Sequence, residues 1–257
     1  MRHESIVRWT AWALLAACVA GCGSTSGTKS SRDAGDGISP TGQANVRLAQ
    51  TYLQTDKLEL AMDRATRALR SDPDSADAHV VMGLILERLD ESARAGEHYM
   101  RAAKLAPGEG FVLNAAGVWQ CEHGHPAEAD ALFARAIEDL IYPQRSQVFF
   151  NAGKCAADAG DLAKAEAYLR GGLNIAPDDK RLLEQMVRLK VRQNDLMGAR
   201  AFFQRREALG PPGPEMLALA VRIEQGAGDA AAAERYRRQL QAQHPGYTPA
   251  AADGSQP

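Results

Sequence analysis

Six alanines, Ala61, Ala95, Ala129, Ala165, Ala199 and Ala233, recur along the chain at steps of 34, 34, 36, 34 and 34 residues. Six prolines, Pro73, Pro107, Pro143, Pro177, Pro211 and Pro245, keep the same period and share its one 36-residue step. A chain with such a rhythm stacks one supersecondary unit on the next, each burying its apolar face against its neighbours rather than around one centre. In every unit an apolar pattern of helical period runs to a turn former and then resumes. The turn formers are Asp56, Asp90, Gly124, Gly160, Asn194 and Gly228, residue types that tolerate left-handed backbone. The proline that follows forbids continuation and separates one unit from the next. With 45% apolar residues and few alternating strand patterns, 257 residues suffice for a large helical core.

The interval and the residue types resemble the tetratricopeptide signature. The fold expected is all-α, a right-handed superhelical α-solenoid of six helix–turn–helix units at 42–75, 76–109, 110–145, 146–179, 180–213 and 214–247. Unit one keeps Leu48, Ala49, Tyr52, Ala61, Ala68 and Pro73, and unit three keeps Gly117, Ala129, Phe133 and Ala136. Small residues at Gly83, Gly117, Gly153 and along the alanine ladder let the paired helices approach. Tyr52, Tyr99, Phe133 and Phe203 fill the space between layers. The 36-residue step belongs to Asp139–Ser146, where the proline comes late and the loop between units three and four gains two residues.

The N-terminus carries Arg2 and Arg8 followed by an apolar run, Trp9–Ala20, too short for a transmembrane helix and similar to a secretory signal peptide. Val19-Ala20-Gly21-Cys22 resembles the bacterial lipobox, which implies a signal peptide over 1–21 and a lipid on Cys22. Leu15-Ala16-Ala17-Cys18 offers Cys18 as the alternative, and an unlipidated secreted protein is the remaining reading. Neither Gly23 nor Val19 is the aspartate associated with inner-membrane retention, so the resemblance implies the periplasmic face of the outer membrane. Residues 22–41 read as a flexible tether of roughly 20–25 Å, and 248–257 as a disordered tail.

Export would place Cys121 and Cys155, each near the end of the first helix of consecutive units, in an oxidising compartment. A disulfide bracing units three and four is expected, with two buried thiols as the alternative. Cys121-Glu122-His123-Gly124-His125 contains metal-capable side chains, but it forms a turn and lacks a second ligand pair, so no metal is expected. The chain has no Gly-rich phosphate loop, nucleophile elbow or H-E-x-x-H. It reads as a non-enzyme without a small-molecule substrate or any cofactor beyond the covalent lipid. A formal charge of −2 argues against nucleic acid.

First-helix positions that line the groove of tetratricopeptide proteins fall on Val46, Gln50, Leu53, Val80, Leu84, Phe111, Asn114, Val118 and Phe150. Later units supply Arg181, Arg188, Arg192 and Arg222. An apolar half followed by a basic stripe suits an amphipathic peptide with an acidic flank. The alternative is that part of the apolar set faces the core and the arginines form a solvated face.

Three further runs sharpen the resemblance: Val112-Leu113-Asn114-Ala115-Ala116-Gly117, Leu140-Ile141-Tyr142-Pro143 with Arg145, and Phe149-Phe150-Asn151-Ala152-Gly153. Over residues 10–247 the chain resembles the type IV pilus biogenesis and stability lipoproteins, the pilotins of the pilus secretin. It departs from them at Ala116, where an aromatic is usual, and at Arg237, where a large apolar residue is usual beside Tyr236. The resemblance implies an outer-membrane assembly factor that binds secretin and promotes its localisation and multimerisation. A scaffold lipoprotein of another envelope machine, such as β-barrel assembly, is the other reading.

Overall fold

The computed structural model describes residues 38–248. The signal segment, Cys18, Cys22, most of the tether and the tail after 248 lie outside the described residues. Twelve helices follow in order: α1 Pro40–Gln54, α2 Leu58–Ser71, α3 Ala76–Arg88, α4 Ser92–Leu105, α5 Gly110–Glu122, α6 Pro126–Glu138, α7 Arg145–Asp158, α8 Leu162–Ile175, α9 Lys180–Arg192, α10 Leu196–Glu207, α11 Pro214–Gly226 and α12 Ala230–Gln243. They form six hairpins stacked into an α-solenoid.

Each hairpin turns at the residue expected from the sequence. Asp56, Asp90 and Asn194 have φ of 56°, 59° and 58°, and Gly124, Gly160 and Gly228 have φ of 81°, 87° and 80°. Side-chain caps start several helices: Ser39 accepts from the Gly42 amide, Ser75 from Ala78, Asp161 from Lys164, Asp195 from Gly198 and Asp229 from Ala232. Pro40, Pro126 and Pro214 occupy helix starts, where a missing N–H costs nothing.

All six ladder alanines are buried, none more than 2% exposed. The contact that needs a small residue lies one turn further along the second helix. A Cβ added to Gly83 would stand 2.8 Å from the Tyr99 ring, one on Gly117 2.7 Å from Phe133, and one on Gly153 2.7 Å from Leu169. Each glycine therefore makes room for the large side chain four residues past the ladder alanine. In the last hairpin Arg237 pairs with Glu234, and its neighbour Tyr236 is buried edge-on to Phe203 at 5.2 Å. Tyr236 thereby fills the layer that the arginine leaves.

Two boundaries differ from those expected. Helix α1 begins at Pro40 rather than 42, because Ser39 caps it while donating its own N–H and hydroxyl to Asp72 at 3.0 and 2.7 Å. Helix α7 begins at Arg145 rather than 146, with the Arg145 Nε donating to the Ile137 carbonyl at 3.1 Å. The long loop between α6 and α7 is organised by Asp139. Its carboxylate accepts from the Gly110 amide at 2.8 Å and from the Ile141 and Tyr142 amides at 3.2 Å. Leu140 and Ile141 stand 75% and 92% exposed at its tip, while Tyr142 folds back over Gly110.

His79 on α3 and His98 on α4 meet Nδ1 to Nδ1 at 2.9 Å, and His79 Nε2 lies 3.0 Å from the Pro73 carbonyl. The carbonyl requires His79 Nε2 to donate, so its Nδ1 accepts and His98 donates. Burial holds both rings below the usual histidine range. At His79 the bond to the Pro73 carbonyl and, less strongly, Asp74 oppose this while Arg101 adds to it; at His98 His79 and Arg94 add to it and Glu97 opposes it. With depressed folded values the unfolded chain takes up protons first, so stability is intact above about pH 6.5 and is lost as pH falls through the folded values. Melting at pH 5 is therefore expected below that at pH 7.5, as calorimetry at the two pH values would read. His98→Gln should shrink that difference, and an undiminished difference would remove the pair as its source.

Candidate partner-binding groove

Consecutive first helices touch one another: α1 with α3, α3 with α5, α5 with α7, α7 with α9 and α9 with α11. Among the described residues the backbones of consecutive second helices stay further apart and meet through long side chains, as Tyr168 of α8 does with Asp130 of α6 and Tyr236 of α12 with Phe203 of α10. The stack therefore bends toward the first helices, whose open faces line its concave side.

On that side the expected apolar residues divide. Val46 is 5% exposed and belongs to the core, while Val80, fully buried, meets the groove only from beneath. Offsets taken from a repeat motif carry no information on the small rotation that turns a side chain inward. Gln50 and Leu53 are half-buried, with Leu53 packed against the core. Leu84, Phe111, Asn114 and Val118 converge on a cavity of about 220 Å³ between α3 and α5, with Val80 as part of its floor. Tyr142 from the long loop lines the same cavity, a contribution not assigned to it from the sequence. The register slip and the aromatic inside it were the available signal. At the rim the Tyr99 hydroxyl donates to Glu87 at 2.6 Å. Burial pushes the Glu87 carboxyl up, while burial and the bond to Glu87 hold the Tyr99 phenol well above its usual range.

A hydrogen-bonded run then crosses three first helices. Asn151 Nδ2 on α7 donates to Asn114 Oδ1 on α5 at 2.9 Å, Gln147 Nε2 donates to Asn151 Oδ1 at 2.8 Å, and Arg181 on α9 donates to Gln147 Oε1. The Arg181 guanidinium also lies 5.6 Å over the ring of half-buried Phe150. Asp179 accepts from Arg181 at 3.1 Å. Burial alone would raise the Asp179 carboxyl, but the Arg181 guanidinium and backbone amides outweigh it and hold the group below its usual value. Arg188 and Arg192 on α9 and Arg222 on α11 are exposed and have no hydrogen-bond or ion-pair partner among the described residues.

Cys121 on α5 and Cys155 on α7 are joined by a disulfide in the structure, with Cα atoms 5.9 Å apart, where the 36-residue step falls. His123 interacts with the Ser92 hydroxyl and the Trp119 carbonyl and stacks on the Trp119 ring at 4.3 Å. No group of three metal-capable side chains occurs among the described residues. A second cavity of about 200 Å³ lies between α6 and α7, walled by Phe133, Ala152, Ala156 and Ala159, with the Lys164–Asp130 pair at its edge. It exists because Ala156 stands where the other units carry Tyr52, Leu86, Gln120, Lys190 and Glu224.

Hairpins of this register, with first helices inward and a small-to-large contact within each pair, define a tetratricopeptide-repeat protein. A model described as Tetratricopeptide repeat matches residues 46–110 and 121–180. Within that class the chain is homologous to type IV pilus biogenesis proteins. It is 28% identical over 233 residues to the type IV pilus assembly protein PilF of Pseudomonas aeruginosa, covering 91% of this chain and 92% of that one. The solved structure of PilW, a type IV pilus biogenesis factor, superposes with a TM-score of 0.75 at 28% identity, over 81% of this chain and 96% of that one. The structure of Pseudomonas aeruginosa PilF gives 0.71 at 28% identity, over 80% and 93%. The fold and these relatives fit a scaffold that acts through protein contacts rather than catalysis.

Proposed function

We propose that this protein is an outer-membrane lipoprotein, anchored through Cys22 on the periplasmic face, that serves as the pilotin of the type IV pilus secretin. It binds secretin along the concave face of its first helices and promotes secretin's localisation and multimerisation. No cofactor beyond the lipid takes part. The observation that carries this reading is likeness to a pilus assembly protein over nine-tenths of both chains, together with an open groove on the concave side. Several acyl chains on one cysteine give firm anchoring where a single chain is marginal. The tether then lets the solenoid reach a secretin subunit roughly 20–25 Å from the bilayer. An oxidising periplasm keeps the Cys121–Cys155 bond closed.

Fractionation tests the anchor. The full chain is expected in the outer-membrane fraction, and Cys22→Ala is expected to move it out of that fraction and lower the secretin multimer found there. A Cys22→Ala protein that stays in the outer membrane while Cys18→Ala leaves it would move the lipid to Cys18. Retention by both single variants and by the double variant would end the lipoprotein reading.

A further inference from the structure

The groove holds two features that differ in chemistry and are separated by a definable distance. One is the cavity between α3 and α5. At about 220 Å³ it exceeds the roughly 150 Å³ of an engineered Leu/Ile/Phe-lined cavity that accepts benzene. Leu84, Phe111 and Val118 give it apolar walls, and Tyr142 closes one side. That wall is held in place: the Tyr142 ring packs on Gly110, Asp139 fixes the loop at three amides, and Arg145 ties the start of α7 back to α6. A socket built in advance spares a ligand the cost of ordering it.

The other feature is the basic stripe. Arg181, Arg188 and Arg192 fall seven and four residues apart, one face of α9, and Arg222 repeats the Arg188 position on α11 one unit later. Arg181 is engaged by Asp179 and Gln147, but Arg188, Arg192 and Arg222 have no anionic partner among the described residues. Packed helices lie about 8–10 Å apart, so the path from the α3–α5 cavity across α5 and α7 to α9 is roughly 20–25 Å. That is about 13–17 residues of helix or about six to eight residues of extended chain.

We propose that the groove is a two-point ruler: the Tyr142-walled cavity takes one large apolar side chain of a partner segment, and Arg188 and Arg192 take an acidic cluster at that distance along it, with Arg222 extending the basic site one helix further. The proposal rests on the reading that the groove binds secretin, and it names the chemistry of the segment bound. The two-residue extension of the long loop then has a role in recognition, since it supplies the wall. Charge complementarity selects an acidic flank over a basic one, because three exposed guanidiniums without partners would repel lysine or arginine.

The test uses overlapping 20-residue peptides covering the host's pilus secretin, arrayed and probed with the full chain. The strongest binders are expected to carry a Phe, Trp, Tyr or Leu separated from at least two acidic residues by one of the two intervals. Tyr142→Ala should weaken them at least tenfold, with Tyr142→Phe retaining binding and so controlling for the fold of the loop. Arg188→Glu with Arg192→Glu should weaken them at least tenfold, and more so at low salt. Bound peptides that lose affinity with Leu84→Glu but not with the Tyr142 or arginine variants would overturn the ruler and leave the groove reading standing. If no peptide binds, the ruler is overturned, and the groove reading falls with it when Leu84→Glu still retains whole secretin.

Discussion

Phe133→Ala is expected to cost about 3–5 kcal/mol, the range for emptying a buried phenylalanine site. Phe133 is 1% exposed, seats its ring against Gly117 on α5 and lines two cavities that Cys155 also lines. Small residues surround it, and Ala152 and Ala156 cannot move in to replace the lost ring. At about 2–4 °C for each kcal/mol, melting should fall by roughly 6–20 °C. A solenoid is stabilised by each unit and by its contacts with the next, so a lesion in unit three also uncouples the halves on either side. Calorimetry is expected to show a broadened or split transition. Ile141→Ala, a few residues away but on the exposed loop tip, should change stability by no more than about 0.5 kcal/mol. Equal effects from the two substitutions would mean that the unit-three core is not packed as described.

The periodic part of this molecule was legible in the chain because it rests on local chemistry. Asp56, Asp90, Gly124, Gly160, Asn194 and Gly228 were readable as turns from residue type and register alone, and all six adopt positive φ. The ladder alanines were readable as close contacts and are buried. The exact partner of the glycines was less so: the ring of Tyr99 or Phe133, rather than the ladder alanine, presses on Gly83 or Gly117, a relation set by the crossing of two helices. Val46, projected onto the groove, is buried instead for a similar reason, since a few tens of degrees of helix rotation decide between core and groove. The Asn114–Asn151–Gln147–Arg181 run depends on three helices from three units coming into register, which no local pattern encodes. Tyr142 lies between these cases. Its loop was marked by the slip in period, but that its ring would reach the α3–α5 cavity depends on how Asp139 and Arg145 fold the loop.

Leu84→Glu carries the largest expected effect on function. Leu84 is half-buried on α3 and lines the cavity beside Phe111, where a carboxylate meets apolar walls and the Glu87 side chain one turn away. An apolar segment of a partner would have to desolvate that charge, which costs more than a typical contact returns. Because Leu84 points into an open groove, helix content by circular dichroism should stay unchanged. Affinity for secretin should fall at least tenfold, equivalent to about 1.4 kcal/mol or more. The decisive measurement is quantitative recovery of secretin, monomer and multimer, with the full chain from outer membranes, for wild type and Leu84→Glu at equal protein levels. The groove account expects secretin to co-purify with the wild type, and both co-purification and multimer to be lost in the variant. A folded Leu84→Glu protein that retains secretin and supports the multimer fully would contradict it.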